Sequence, residues 1–190
     1  MKLVSNHSHP LLNTKKSTHL RKKRRQGFTL IEILVVIVII GILASLGVGS
    51  FMSSQEKSRD ARRKSDLRNI STALELYYND HKEYPTSSTG GEIQGCSGGS
   101  ACSWGSGFVD GNGTVYMVEL PEDPSEVDYY YTATPDEYQI YARLENTLDG
   151  AVPKNASDDP QVYSGTQCGS TICNYGVAST NSSLTSTVNE

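Results

Sequence analysis

The apolar residues of this chain form one long continuous run near the amino terminus. From Ile33 to Met52 no residue is charged, and thirteen of these twenty residues are Ile, Leu, Val or Phe. A helix of this length spans about 30 Å, the thickness of the hydrocarbon core of a bilayer. The pattern therefore predicts a transmembrane helix over residues 28–54.

The helix is predicted to continue past the bilayer as an amphipathic segment, residues 55–82. Its first part mixes six basic residues with three acids, and pairs such as Asp60 with Lys64 have the i, i+4 order typical of a solvated or lipid-facing helix. Four apolar residues then recur every three or four positions, which predicts a face that packs on a sheet: Leu67, Ile70, Leu74 and Tyr77. One helix of close to 80 Å is expected from Phe28 to about His81, because the proline of Tyr84-Pro85 disfavours helix.

Residues 83–179 are predicted to form an antiparallel β head. The four candidate strands are residues 114–119, 127–132, 137–144 and a short one near 174–178. In the second and third of these, β-forming side chains recur at every other position, which predicts half-buried antiparallel strands. Thr134-Pro135-Asp136 suits a hairpin turn between the second and third strands. Residues 86–113 are rich in Gly and Ser and are predicted to be a loop, and residues 180–190 a disordered tail. The expected fold class is thus α+β.

Charge separates the chain into two parts. Residues 1–27 carry eight Lys or Arg and no acid, whereas residues 28–190 carry nine Lys or Arg and twenty-one Asp or Glu. Basic residues beside an apolar run remain cytoplasmic, so the head should lie outside the cytoplasmic membrane.

The sequence Gly27-Phe28-Thr29-Leu30-Ile31-Glu32, after a basic leader and before the apolar helix, resembles the processing site of type IV prepilins and type II secretion pseudopilins. The resemblance implies that a peptidase cuts between Gly27 and Phe28, that Phe28 is N-methylated, and that residues 1–27 are discarded. An uncleaved signal anchor is the alternative. Residues 120–124 and the Tyr-rich hairpin also resemble the head of pilin-like proteins and major pseudopilins, which implies a long helix packed on a small antiparallel sheet.

Glu32 is the candidate assembly residue. A carboxylate at the edge of the hydrocarbon region is costly unless it is paired, and cleavage would create an amine at Phe28. The resemblance implies that Glu32 of one subunit meets the Phe28 amine of its neighbour. The alternative is that Glu32 only complements the dipole of its own helix.

Four cysteines occur as Cys96-x5-Cys102 and Cys168-x4-Cys173. An exported domain meets an oxidising compartment, so two disulfides are expected. The short loops favour pairing between neighbours among the three pairings. Zinc is the alternative, although the spacing is not Cys-x2-Cys and no histidine is near.

No cofactor is expected. Calcium is the one ion to consider, because major pseudopilins resembling this chain often bind it beside the sheet. Candidate ligands lie around residues 145–160: Asp149, Asp158 and Asp159. Asp110 starts an EF-hand-like pattern that lacks the required Gly and Glu. No catalytic motif is present, so an enzyme is not expected. Direct nucleic-acid binding is not expected either, because the head is acidic.

These observations predict a structural subunit of a type IV pilus-like filament that assembles through its N-terminal helix. The alternatives are a major pseudopilin of a type II secretion system and a membrane-tethered binding module or adhesin. The resemblance implies a prepilin peptidase, a platform membrane protein, an assembly ATPase and other copies of the chain as partners, besides membrane lipid. The subunit is expected in the cytoplasmic membrane as a single-pass protein, and later in a periplasmic or extracellular filament.

Overall fold

A computed structural model describes residues 27–185 and 187–189, and for residues 46–50 and 189 it describes the backbone only. The predicted leader thus lies outside the described residues except for Gly27. The chain divides into two compact units, Met1–Leu46 and Gly47–Glu190.

Helix α1 comprises Leu30–His81 and ends at the predicted residue. In the first unit, the large apolar side chains of residues 28–43 are between 48% and 83% exposed, and they surround the helix on every side. Within the described part of the chain, no helix is both long enough and apolar enough to cross a membrane.

In the second unit, one face of α1 forms the core of the protein. The predicted stripe is confirmed, because Leu67, Ile70 and Leu74 are fully buried and Tyr77 is only 9% exposed. Each fully buried Leu or Ile contributes about 1.5–3 kcal/mol to folding. The same cluster contains Tyr131 and other buried aromatic residues of the head. The α+β architecture, a helix packed against small antiparallel sheets, follows from this core.

Eleven short strands follow the helix among the described residues: β1 Ile93–Cys96, β2 Ser100–Cys102, β3 Phe108–Val109, β4 Val115–Met117, β5 Tyr130–Ala133, β6 Tyr138–Ala142, β7 Gln161–Tyr163, β8 Gln167–Cys168, β9 Thr171–Ile172, β10 Tyr175–Ala178 and β11 Thr187–Asn189. The central sheet has the order β10-β6-β5 and is antiparallel throughout. The hairpin turn predicted at residues 134–136 joins β5 to β6. β5 begins at Tyr130 and not at Val127, and β6 ends at Ala142 and not at Leu144.

The predicted loop at residues 86–113 is wrong in part, because it contains three strands. β1 and β2 form a hairpin, and β3 pairs with β4. The strand predicted over residues 114–119 therefore corresponds to β4, which pairs with β3 and not with the central sheet. Glycines permit the tight turn between β1 and β2, where Gly98 and Gly99 have φ values of 85° and 74°.

The prediction of half-buried strands is wrong for β6. Tyr138 and Ile140 are buried against the helix, but Tyr141, on the opposite face, is fully buried as well. A second cluster covers that face and includes Tyr163 and Leu184.

The disordered tail predicted over residues 180–190 is also wrong for its described residues. β11 pairs antiparallel with β7, and the backbone N–H of Thr185 donates to the Tyr141 hydroxyl at 3.0 Å. At Gly176, a Cβ atom would lie 2.8 Å from the Tyr141 ring and 2.9 Å from Leu184. The tail therefore closes the outer face of the sheet, and its Ser- and Thr-rich composition conceals this role.

Candidate assembly site

The helix begins with a reciprocal cap formed by Thr29 and Glu32. The Glu32 backbone N–H donates to Thr29 Oγ1 at 3.3 Å, and Glu32 Oε2 accepts from the Thr29 backbone N–H at 3.0 Å. The Thr29 hydroxyl also lies 3.0 Å from Glu32 Oε2. This is a capping box, in which two backbone donors without a helical partner are satisfied by side chains.

The cap gives Glu32 a partner within its own chain while Phe28 is still joined to Gly27 by a peptide bond. The contacts match the alternative in which Glu32 complements its own helix terminus. The intersubunit pairing of Glu32 with the Phe28 amine stays a prediction, as does cleavage after Gly27. Thr-x-x-Glu is a capping signature, so the cap could have been found from the sequence.

The basic segment of the helix, residues 55–68, is bound to the head. It is therefore not only the solvated or lipid-facing helix that the sequence predicts. Arg63 is 0% exposed. Its Nε donates to Asp123 Oδ2 at 2.6 Å and its Nη2 to Asp123 Oδ1 at 3.0 Å, a bidentate pair. Nη1 contacts Asp60 at 2.8 Å and Nη2 contacts Glu145 at 2.9 Å. Burial alone would lower the pKa of Arg63, but the bonds to Asp123 and Glu145 raise it.

Asp60 and Glu145 extend this network to the loop after β6. Asp60 accepts the backbone N–H groups of Glu145 and Asn146, each at 2.9 Å. Arg59 binds Glu145 directly and, together with Arg63, lowers the pKa of Glu145 to about 2. The predicted i, i+4 pair of Asp60 with Lys64 is therefore wrong, because Asp60 is committed to Arg63 and this loop.

Lys64 instead reaches the head, where it donates to Asp149 at 2.5 Å. Three basic side chains, Arg59, Arg63 and Lys64, thus tie one face of the helix to two head segments. The network fixes where the head sits along the second half of the helix. It was missed from the sequence because its pairs between helix and head join residues 60 to 86 positions apart.

Both cysteine pairs join neighbours. Cys96 is bonded to Cys102 and Cys168 to Cys173, and the described residues include no free cysteine. The first disulfide closes the β1–β2 hairpin. The second lies under the tail, where both of its cysteines are 0% exposed. This arrangement leaves no thiolate for zinc.

The calcium candidates do not converge. Asp149 accepts from Lys64 and from the Ala151 backbone N–H at 2.9 Å. Asp158 pairs with Lys154 and Asp159 with the Asn155 amide. Within the described ranges, no group of three or more His, Cys, Asp or Glu side chains is arranged to hold a metal ion. Calcium binding stays a prediction, and the donors around Asp149 do not favour it.

The far end of the helix is held by His81, which lies 3.2 Å from Asp110 and 3.1 Å from the Tyr116 hydroxyl. Asp110 Oδ1 accepts the backbone N–H groups of Asn112 and Thr114 at 2.9 and 2.8 Å. Burial would raise the pKa of Asp110, but these donors and His81 lower it on balance. The EF-hand-like start is thus a capped turn between β3 and β4.

Two families match this chain in succession. Residues 22–48 match the prokaryotic N-terminal methylation motif, and residues 50–158 match the type II secretion system protein G family. No solved structure matches the chain.

Curated relatives agree with the second match, and the three described here all have the name type II secretion system core protein G. The Escherichia coli K12 protein is 38% identical over 67% of this chain and 84% of its own length. The Pseudomonas aeruginosa protein is 34% identical over 72% and 95%, and that of Klebsiella pneumoniae 40% over 56% and 74%. The protein G family model matches more than half of the chain, and two of these relatives cover about two thirds or more of it at over 30% identity, so this chain belongs to the type II secretion system protein G family.

Proposed function

We propose that this chain is a pilin-like structural subunit of a type II secretion system, a major pseudopilin that assembles into a short filament through its N-terminal helix. The observation that carries the proposal is the succession of an N-terminal methylation motif and a protein G match along most of the chain. Its role in this proposal is structural and not enzymatic, as expected for a subunit of this family.

The N-terminal helix suits a subunit that changes its surroundings. Apolar side chains on every side of residues 28–43 are exposed in the part of this unit that the structure describes, so they require lipid or other apolar helices. We infer that residues 28–54 anchor the subunit in the cytoplasmic membrane and later form the core of the filament. Exchange of lipid for sister helices costs little, since both surroundings are apolar.

The secretion filament is favoured over a surface pilus because the curated relatives are named for type II secretion. A type IV pilus shares the same N-terminal plan and remains compatible with it. Nothing among the described residues favours an adhesin, since the head consists of small sheets without an added domain. The implied partners are a prepilin peptidase, a platform protein, an assembly ATPase and further copies of this chain, with the head in the periplasm.

Substitution of Glu32 tests this proposal in cells that contain the secretion machinery. Glu32→Gln retains a side chain that can cap the helix but has no charge, whereas Glu32→Ala removes both. If the carboxylate pairs with a neighbouring amine, both variants should be inserted and processed yet fail to form filaments in electron micrographs and fail to restore secretion. Glu119→Gln, on the exposed surface of the head, is the matched control. Normal filaments with Glu32→Gln would show that the charge has no role in assembly.

A further inference from the structure

One side of the helix in the second unit carries basic residues that the head does not use. Lys57 and Arg68 are exposed, and neither makes an ion pair within the described part of the chain. They are eleven residues apart, which is close to three helical turns, so they lie on the same side about 16 Å apart. We call Lys57 and Arg68 the basic strip.

A cleft on the head offers the opposite charge. It has a volume of about 600 Å³ and is lined by Trp104 and by carboxylates that include Glu122, Glu126 and Asp128. These three acids are exposed, and none of them pairs with a cation among the described residues. Asp123, at the same cleft, is already bound to Arg63. We call Trp104, Glu122, Glu126 and Asp128 the acidic cleft.

The combination of an indole with free carboxylates suits an entering Lys or Arg side chain. Trp104 is partly buried and packs edge-on against Tyr129, with 5.5 Å between ring centroids, so its position is fixed. Glu122 lies over Gly105, next in sequence to Trp104; a Cβ there would be 2.8 Å from the Glu122 carboxyl carbon. A guanidinium in the cleft would gain ion pairs and an aromatic contact together.

We propose that the basic strip of one subunit docks into the acidic cleft of a second copy of this chain. The proposal deepens the proposed function and rests on it. Strip and cleft are two different surfaces, so their contact is heterologous, and a contact of that kind propagates into an open filament unless the rotation closes a ring.

The charge distribution favours a second copy over lipid or nucleic acid as the occupant of the strip. Residues 82–190 hold fifteen acids and three basic residues. A phosphate surface that approached the strip would also meet this acidic head and be repelled. A second copy instead brings an acidic surface to the exposed basic side chains of the strip.

Charge reversal with rescue tests the docking in the full chain, in cells with the assembly machinery. Lys57→Glu with Arg68→Glu should reduce filament yield about tenfold or more, since two attractive contacts become repulsive. Glu122→Lys with Glu126→Lys should have the same effect. All four substitutions together should restore filaments to within about threefold of wild type. Lys82→Glu with Glu119→Lys, two exposed positions outside the strip and the cleft, is the control.

Provided that the wild type forms filaments, an unchanged filament yield from both charge-reversed proteins would overturn the docking. Failure of the fourfold variant to regain filament yield would overturn it too. Wild type that forms no filaments would overturn the proposed function as well. Reconstitution separates lipid from a second copy. If charge reversal reduces cross-linking between copies only in vesicles with phosphatidylglycerol, and not in pure phosphatidylcholine, the strip binds lipid and the docking is wrong.

Discussion

Arg63 is the side chain whose replacement tests the attachment of head to helix most severely. It is completely buried and holds Asp60, Asp123 and Glu145 at once. Arg63→Met keeps an unbranched, helix-compatible side chain but removes the charge and all of its donors. The change leaves Asp123, whose side chain is 1% exposed, without its cation.

The expected loss follows from what each acid retains. Asp60 still accepts two backbone N–H groups, and Asp123 still accepts those of Ser125 at 2.7 Å and Val127 at 3.4 Å. The buried charge of Asp123 is no longer neutralised, however, and breaking a buried ion pair typically costs about 3–5 kcal/mol. For a unit of this size the melting temperature should fall by roughly 10–20 °C.

Thermal unfolding of the purified full chain in detergent at pH 7 measures this loss. The unfolding is monitored by the near-ultraviolet circular dichroism of the eleven tyrosines. Arg68→Met is the matched control, because Arg68 is exposed on the same helix, and it should change the melting temperature by less than about 2 °C. Adding Asp123→Asn to Arg63→Met should recover about 1–3 kcal/mol, because it removes the unpaired charge.

Two results would refute this reasoning. If Arg63→Met melted with wild-type stability, the buried network would not hold the head on the helix. If the double variant were less stable than Arg63→Met, the unpaired Asp123 charge would not be the source of the loss.

Three further predictions follow from other parts of the head. The pKa of Glu145 lies at about 2 in the folded chain, below its ordinary value of 4.5, so the contribution of the ionised Glu145 to folding stability is complete above pH 4.5 and is lost as the pH falls toward 2. In a plot of melting temperature against pH, Glu145→Gln should therefore reduce the fall in melting temperature on the acid side. An unchanged fall would contradict this. Gly176→Ala should destabilise the head by about 1–3 kcal/mol in urea unfolding, because the new methyl group displaces Leu184; combining it with Leu184→Ala should relieve part of the loss, and equal stability of Gly176→Ala and wild type would exclude the tight contact. Replacing both Cys168 and Cys173 with Ser should lower the free energy of unfolding by about 2 kcal/mol, because the unfolded chain regains the entropy of the open loop. Urea unfolding measures this loss, and an unchanged free energy would mean that the closed loop does not stabilise the head.

Periodic and local signals in the sequence predicted the parts of the fold that depend on neighbours in the chain. The Leu67, Ile70 and Leu74 stripe, the end of the helix at His81 and the turn near Pro135 all follow from spacing within a few residues. The Thr29–Glu32 cap belongs to the same group, since its signature is four residues long.

Contacts between distant segments could not be predicted in this way. The Arg63 network joins helix and head residues 60 or more positions apart, and from the sequence its basic members were predicted to lie on a solvated or lipid-facing helix. The covering of Tyr141 depends on a Ser- and Thr-rich tail whose composition suggests disorder. In each case a polar side chain gains its role only from the partner that folding brings to it.

The proposed function requires that the chain is cleaved after Gly27 before it assembles as a pseudopilin. Mass spectrometry of the protein recovered from cells with an active prepilin peptidase measures this cleavage. We expect an N-terminal peptide that begins at Phe28 and carries one added methyl group. A mature protein that still contains the basic residues before Gly27 would show that the proposed function is wrong.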